Sequence, residues 1–279
     1  MQFILTGKDG PRMQRKMIAL DLDGTTLNTE GTLTAATVAT LKQAEAAGHL
    51  VVIATGRPDS ISEQFYDQLG LQGPMINFNG ALIHIPHQAW ANELESTIPV
   101  ADALDLLTLR QDYDIKVMVA EGKQLLRADH GYTDIPFLPD MPQPASLFDA
   151  AGLTQAPVSV TMFIDEATLE PLTAAVKQRH PELIAKTWGA WSGENTALEI
   201  TTAHASKSRG LAYVAAAYGI AQEDIIAFGD DMNDLDMIEY AGVGVAMGNA
   251  RPAILAAANT VTAPNSENGV AQYLTKYLL

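Results

Sequence analysis

The sequence predicts an α/β fold, a Rossmann-like parallel sheet core interrupted by a smaller α+β unit. Three observations carry this. Near both ends of the chain, short apolar runs alternate with helix-length segments, the pattern of βαβ units. The middle of the chain loses that rhythm and reads as hairpins beside helices. The apolar runs of the outer parts also stop at Asp, Thr and Gly, residue types that carry chemistry rather than packing.

The elements follow in order. Residues 16–20 are apolar and bounded by charge, a buried strand. Residues 34–47 read as a helix capped by Thr34 and stopped by Gly48. A second strand at 50–54 precedes a helix at 58–69, with Pro58 in its first turn and Gly70 closing it. A third strand covers 75–78. Then come a helix at 104–112 and a hairpin, 116–119 and 124–127, turning around Glu121 and Gly122. A proline-rich stretch (Pro136, Pro139, Pro142, Pro144) leads to a strand at 158–164, a helix at 169–179 and a strand at 183–188. The βα rhythm returns with strands at 197–200, 224–228 and 242–246 and helices at 206–218, 233–240, 252–258 and 269–277. The chain thus divides into a discontinuous core, residues 1–83 and 192–279, and an inserted α+β cap, residues 84–191. Residues 1–16 hold several charges and neither an apolar stretch of signal-peptide length nor a small-residue cleavage site. They are expected to be an extra arm ahead of Met17, not a signal peptide.

Composition excludes whole classes of function. The 279 residues are 47% hydrophobic, enough for a sizeable core. Seventeen Lys and Arg stand against 33 Asp and Glu, a net charge of −16, which disfavours coating nucleic acid or anionic lipid. No Cys is present, so disulfide scaffolds, thiolate zinc sites and Cys nucleophiles are ruled out. This fits a reducing compartment, and a cytoplasmic location is expected. No apolar run approaches the ~20 residues of a spanning helix.

In open α/β sheets, ligands sit beyond the carboxyl ends of the strands. The first run ends in Asp21-Leu22-Asp23-Gly24-Thr25 and the second in Thr55-Gly56-Arg57-Pro58. The run at 197–200 leads to Ser206-Lys207, and that at 224–228 ends in Gly229-Asp230-Asp231-Met232-Asn233-Asp234. Asp21 and Asp23 are two apart, so extended backbone directs both to one side. Such a pair can divide the roles of nucleophile and proton donor. Carboxylates gathered from two strand ends call for a divalent cation, and hard oxygen ligands favour Mg²⁺. Thr55 can donate to a phosphoryl oxygen, and Lys207 supplies a point charge at a helix start.

These four motifs resemble those of the haloacid-dehalogenase (HAD) superfamily, in particular its Cof-type branch, whose large cap lies between the second and third motifs. Asn79-Gly80-Ala81 and residues 242–250 resemble further signatures of that branch. The resemblance implies that Asp21 is a nucleophile forming an aspartyl-phosphate, and that Asp23 is the general acid and then the base activating water. It implies Mg²⁺ held by the Asp21 carboxylate, the Asp23 main-chain carbonyl and Asp230, with Asp234 supporting the metal site. Phosphate would be gripped by Thr55, Lys207, Asn233 and the backbone around Leu22. Two positions depart from the pattern: Thr26 where the family usually has Leu, and Ser208 where the branch usually has Gly.

Other residues have plainer readings. Arg57 either meets phosphate or braces Asp groups, and bracing is favoured. Asp231 and Asp236 read as solvated helix-start charges, His84 and His87 as hinge or surface residues, and Trp188 and Trp191 as packing. Asn79 serves either the site or a turn. The expected function is Mg²⁺-dependent hydrolysis of a small phosphorylated metabolite, such as a sugar phosphate. The alternatives are a sugar-phosphate phosphomutase, which needs the same two aspartates, and a non-catalytic phosphosugar sensor, which needs no nucleophile.

Overall fold

The computed structural model describes residues 14–135, 138–187 and 196–279. In chain order the elements are β1 (Met17–Leu20), α1 (Ala35–Ala46), β2 (Leu50–Ile53), α2 (Asp59–Leu69), β3 (Met75–Asn77), β4 (Leu82–His84), β5 (Leu94–Glu95) and α3 (Val100–Leu107). They continue with β6 (Ile115–Gly122), β7 (Leu125–Ala128), β8 (Ser159–Ile164), α4 (Glu166–Arg179), β9 (Leu183–Thr187) and β10 (Thr196–Thr202). The last are α5 (Lys207–Tyr218), β11 (Ile225–Gly229), α6 (Leu235–Tyr240), β12 (Val243–Ala246), α7 (Pro252–Ala257), β13 (Thr260–Val261) and α8 (Gly269–Tyr277).

A parallel sheet of order β13-β12-β11-β1-β2 forms the centre of one part. Its apolar runs are buried on both faces, as parallel strands covered by helices must be. Met17, Ile18, Ala19 and Leu20 of β1 are wholly buried, as are Val51–Ile53 of β2 and Phe228 of β11. Each large side chain so buried stabilises the fold by roughly 1.5–3 kcal/mol. Leu20 stands level with Phe228 on one side and Ile53 on the other, so β1, β2 and β11 end at one rim. A single parallel bridge from Ala54 to Ile76 carries β3 alongside β2. Thr34 caps α1 as expected, accepting from the Thr37 amide at 3.2 Å.

A second, antiparallel sheet has the order β7-β6-β8-β10-β9. One face packs on a core drawn from the sheet, α3 and α4, including Met118, Val160, Met162, Leu106 and Leu172. This sheet corrects the expected division. The sequence division puts β10 in the core that resumes at residue 192, yet it pairs with β8 and β9, with Ile200 between Val160 and Ala185. An apolar run reads alike in either kind of sheet, because the partner strand leaves no mark on its pattern. The outgoing edge also moves. β4 and β5 form a small antiparallel sheet with β3, and Trp90 packs against the first core beside Tyr218. The chain first joins the second core at Ile98. It returns between Thr202 and Lys207.

Smaller differences have local causes. Glu121 and Gly122 belong to β6, and the chain turns at Lys123 and Gln124, where Gln124 has φ 58°. His84 is not a surface residue but is buried, bonded to Asn77. Of the expected arm, residues 1–13 lie outside the described residues, but Gln14 and Lys16 are anchored. Both donate to the Asp224 carboxylate, at 2.7 and 2.6 Å. Trp188 and Trp191 also lie outside the described residues. Among the described residues, no helix is long and apolar enough to cross a membrane.

Candidate active site

The rim at the ends of β1, β2 and β11 gathers the residues that the motifs single out. Asp21 follows β1 directly and is nearly buried. The chain then makes a tight turn over residues 22–26, closed by the Leu27 amide donating to the Leu22 carbonyl at 2.9 Å. Leu22 sends its side chain into the core, which leaves its backbone at the rim. Gly24 has φ +72°, and a Cβ there would collide with the Asp230 carboxylate. Glycine is thus required both for the left-handed backbone and for the approach of the two motifs. Thr25 donates to Asp230 Oδ1 at 2.8 Å. Thr26, one of the two departures, donates to the Asp21 carbonyl at 2.6 Å and so ties down the turn.

Lys207 opens α5 and is wholly buried. Its Nζ donates to Asp21 Oδ1 and to Asp234 Oδ1, each at 2.6 Å. Burial opposes its charge, but Asp21 and Asp234 outweigh burial and hold the ammonium above its ordinary range. Asp234 is equally buried, and its Oδ2 accepts from the amides of Asp230 at 2.9 Å and Asp231 at 3.1 Å. It therefore orients both the lysine and the backbone of the fourth motif. Ser208, the other departure, leaves the lysine in place. Its amide donates to Asp236 Oδ2 at 2.9 Å, so Asp236 serves the α5 start rather than standing solvated. Asp231 is also engaged, pairing with Arg251 at 2.7 Å.

Asp21, Asp230 and Asp234 each present a carboxylate oxygen within 4.8 Å of the others. Burial, then Asp234, raises Asp21 well above the usual carboxylate range despite Lys207. Burial and Asp234 push Asp230 up to about 7. Two buried carboxylates and a half-buried one against one lysine leave excess negative charge in a poorly solvated place. An all-oxygen donor set of this kind fits a hard divalent cation.

The remaining groups line a cleft of about 260 Å³ with Asp21 and Asp23 at its floor. Thr55, Arg57, Asn79 and Asn233 come from the parallel part, and Lys186 and Thr187 from β9 of the antiparallel sheet. Asp23 turns to Arg57, which grips it by two hydrogen bonds of 2.7 and 2.5 Å. This is the bracing that its position suggested. Asn79 serves both its readings. It sits in a turn with φ 52°, its Oδ1 accepts from Asn233 Nδ2, and its Nδ2 donates to Glu199 Oε2, both at 3.2 Å. Sequence reasoning missed Lys186 and Glu199. Their place depends on how β9 and β10 pair, which no local pattern reports.

Comparison with known proteins shows the family. The family model of haloacid dehalogenase-like hydrolases matches residues 18–274. The 5-amino-6-(5-phospho-D-ribitylamino)uracil phosphatase YitU of Bacillus subtilis is 32% identical over 271 residues, covering 94% of this chain and 97% of that protein. Pyridoxal phosphate phosphatase YbhA of Escherichia coli is 32% identical over 278 residues, covering 96% and 100%. A haloacid dehalogenase-like hydrolase from Bacteroides thetaiotaomicron shares the fold with a TM-score of 0.83 at 22% identity, over 94% of this chain and 99% of the other. With a match over nearly its whole length and relatives that are phosphatases by name, the chain belongs to the haloacid dehalogenase-like hydrolases and is an enzyme of their phosphatase type.

Proposed function

We propose that the protein is a Mg²⁺-dependent phosphatase that hydrolyses a small phosphorylated metabolite through an aspartyl-phosphate on Asp21. The observation that carries this reading is the buried lysine bridging Asp21 and Asp234 at the strand-end rim. A carboxylate that is to attack a phosphoryl group needs its own charge and that of the phosphate offset, and Lys207 stands where it serves both. The Asp21 carboxylate, the Asp23 carbonyl and Asp230 would hold the cation, with Asp234 in support. Bound there, Mg²⁺ would reduce repulsion between nucleophile and phosphate and polarise the phosphoryl oxygen.

Asp21 attacks phosphorus and the leaving-group oxygen departs. Asp23 protonates that oxygen and then, as a carboxylate, takes a proton from the water that attacks the phospho-enzyme. Thr55, Lys207, Asn233 and the backbone around Leu22 orient the phosphoryl oxygens. The antiparallel sheet serves as a cap. Lys186 and Thr187 already line the cleft, so closure against the parallel part would exclude bulk water while the ester is cleaved. The relatives named for 5-amino-6-(5-phospho-D-ribitylamino)uracil and for pyridoxal phosphate support a small metabolite as substrate. A cytoplasmic location fits such a role.

The test is a phosphate-release screen over sugar phosphates, nucleotides and phosphorylated vitamins with Mg²⁺. Stoichiometric release of inorganic phosphate from at least one monoester is expected. Conversion to an isomer without release, or binding without turnover, would overturn the reading.

A further inference from the structure

Residues 78–80 hold three successive left-handed backbones: Phe78 at φ 49°, Asn79 at φ 52° and Gly80 at φ 102°. Glycine adopts this conformation freely and asparagine tolerates it, but a bulky residue such as Phe seldom does. Such a segment persists only where its surroundings hold it. Here the Phe78 amide donates to the Arg57 carbonyl at 3.3 Å and the Asn79 amide to the Thr55 carbonyl at 3.0 Å. The Phe78 side chain is wholly buried beside Ala81, Leu82, Val158 and Ala205. The strained turn is thereby fixed to the second motif. Of its three residues, Asn79 alone lines the cleft, and it is 7% exposed. A Cβ at Gly56 would press on the Asn79 amide at 3.1 Å, so the second motif leaves room for it.

A carboxamide offers one acceptor oxygen and two N–H donors, and both ends of Asn79 are engaged. Its Nδ2 donates to Glu199 Oε2 of β10, and its Oδ1 accepts from Asn233 Nδ2, each at 3.2 Å. The order of these bonds decides which way the amides point. An ionised carboxylate has only acceptors, so Glu199 draws the NH₂ of Asn79 to itself and leaves the oxygen for Asn233. Asn233 must then present its own NH₂ to Asn79. One N–H is used there, and the second is left for a guest in the cleft that Asn233 lines together with Asp21 and Asp23. Asn233 is exposed, and among the described residues this is its one side-chain hydrogen bond. Without that bond the amide can turn over and show an anion its oxygen instead.

We propose that Asn79 and Glu199 are positioning residues for phosphate. Neither needs to touch the ester: Glu199 sets the amide of Asn79, and Asn79 sets that of Asn233, so that an N–H faces a phosphoryl oxygen. This rests on the phosphatase reading, in which Asn233 holds the phosphoryl group. A buried carboxylate of the antiparallel sheet thus aids the binding of an anion that it would by itself repel. The effect falls on the phosphoryl group, which all monoesters share, and not on the leaving group.

The test measures the affinity of the full chain for inorganic phosphate by titration calorimetry with Mg²⁺ present, beside the phosphate-release screen. Asn79→Gly removes the amide and keeps a residue at ease in left-handed backbone. It should raise the Kd for phosphate by about tenfold, as loss of an oriented hydrogen bond to an anion does. Made in an Asn233→Ala background, the same change should leave Kd within about twofold, because Asn79 acts only through Asn233. Glu199→Leu should raise Kd in the same direction, and it carries the test should Asn79→Gly fail to fold. A role confined to holding the turn would weaken binding equally in both backgrounds and would overturn the proposal. A folded Asn79→Gly or Glu199→Leu that binds phosphate as the wild type does would also overturn it, with the phosphatase reading intact. A wild type that neither binds phosphate nor hydrolyses any monoester would overturn both.

Discussion

Arg57 holds Asp23 by both carboxylate oxygens, Nε to Oδ2 at 2.7 Å and Nη2 to Oδ1 at 2.5 Å. A carboxylate gripped in this way is not free to protonate a leaving group, so the role proposed for Asp23 requires it to exchange partners first. Arg57 lines the same cleft, where an incoming phosphate ester can compete for the guanidinium. Arg57→Ala is expected to lower kcat/KM by about tenfold. In a double-mutant cycle with Asp23→Asn, the two effects should couple by more than about 1 kcal/mol. Strict additivity would show that the pair has no part in turnover.

Asp21→Asn should lower kcat by at least about a thousandfold, because the neutral amide is a far weaker nucleophile than the carboxylate. Its melting temperature should match or exceed that of the wild type, since one of three crowded carboxylates is gone. A clean variant turning over at the wild-type rate would refute the assignment. Asp23→Asn should instead accumulate phospho-enzyme, detectable by acid quench after labelling with ³²P-ester.

Chelation should stop phosphate release, and added Mg²⁺ should restore it. The same ion should raise the melting temperature of the chelated protein in a concentration-dependent way, as any ligand of the folded state does. Asp230→Ala should lose most of that thermal shift. A shift that persists in full would place the cation elsewhere.

His84 gives a pH dependence of stability away from the cation. Its Nε2 donates to Asn77 Oδ1 at 3.0 Å, and burial, then Lys123, lowers its pKa to about 4 from the ordinary 6.5. Between these values the unfolded chain binds the proton and the folded chain does not. The contribution is whole above pH 6.5 and falls away toward pH 4, by as much as about 3 kcal/mol. His84→Gln should flatten the acid limb of a denaturant-midpoint profile over that range. An unchanged limb would assign acid sensitivity to other groups.

Gly80 has φ +102°, and a Cβ on it would run into the backbone of Ser206, the residue before Lys207. Gly80→Ala should cost upward of about 1 kcal/mol in unfolding free energy. It should also reduce kcat, since α5 begins where the collision falls. Retention of both would show that the backbone yields there at no cost.

The reach of sequence reasoning follows from what each element leaves in the pattern. The strands of the parallel sheet are wholly apolar and end in charge or glycine, so β1, β2, β11 and the groups they carry were legible. Asp21, Asp230, Asp234 and Lys207 do meet at one rim. β4 and β5 span only two or three residues, too few to show a period. Glu121 and Gly122 looked like a turn because charge and glycine usually mark one, while the actual bend falls on Gln124. Nothing in a single sequence reveals that a glutamate such as Glu121 or Glu199 is buried. That follows only from pairing strands far apart in the chain.

The junction between the two parts has a consequence of its own. The outgoing chain is fastened where the Ser96 amide donates to the Ala81 carbonyl at 2.7 Å, and the returning chain passes Gly80 at Ser206. Phe78, Ala81, Leu82, Val158 and Ala205 fill the space between as one small apolar knot. Both crossings therefore lie at a single seam rather than at opposite sides of the molecule. A different insert with closely spaced ends could be stitched into the same seam without disturbing β1, β2 or β11. The catalytic rim can stay constant in such a design while the selecting surface is exchanged whole.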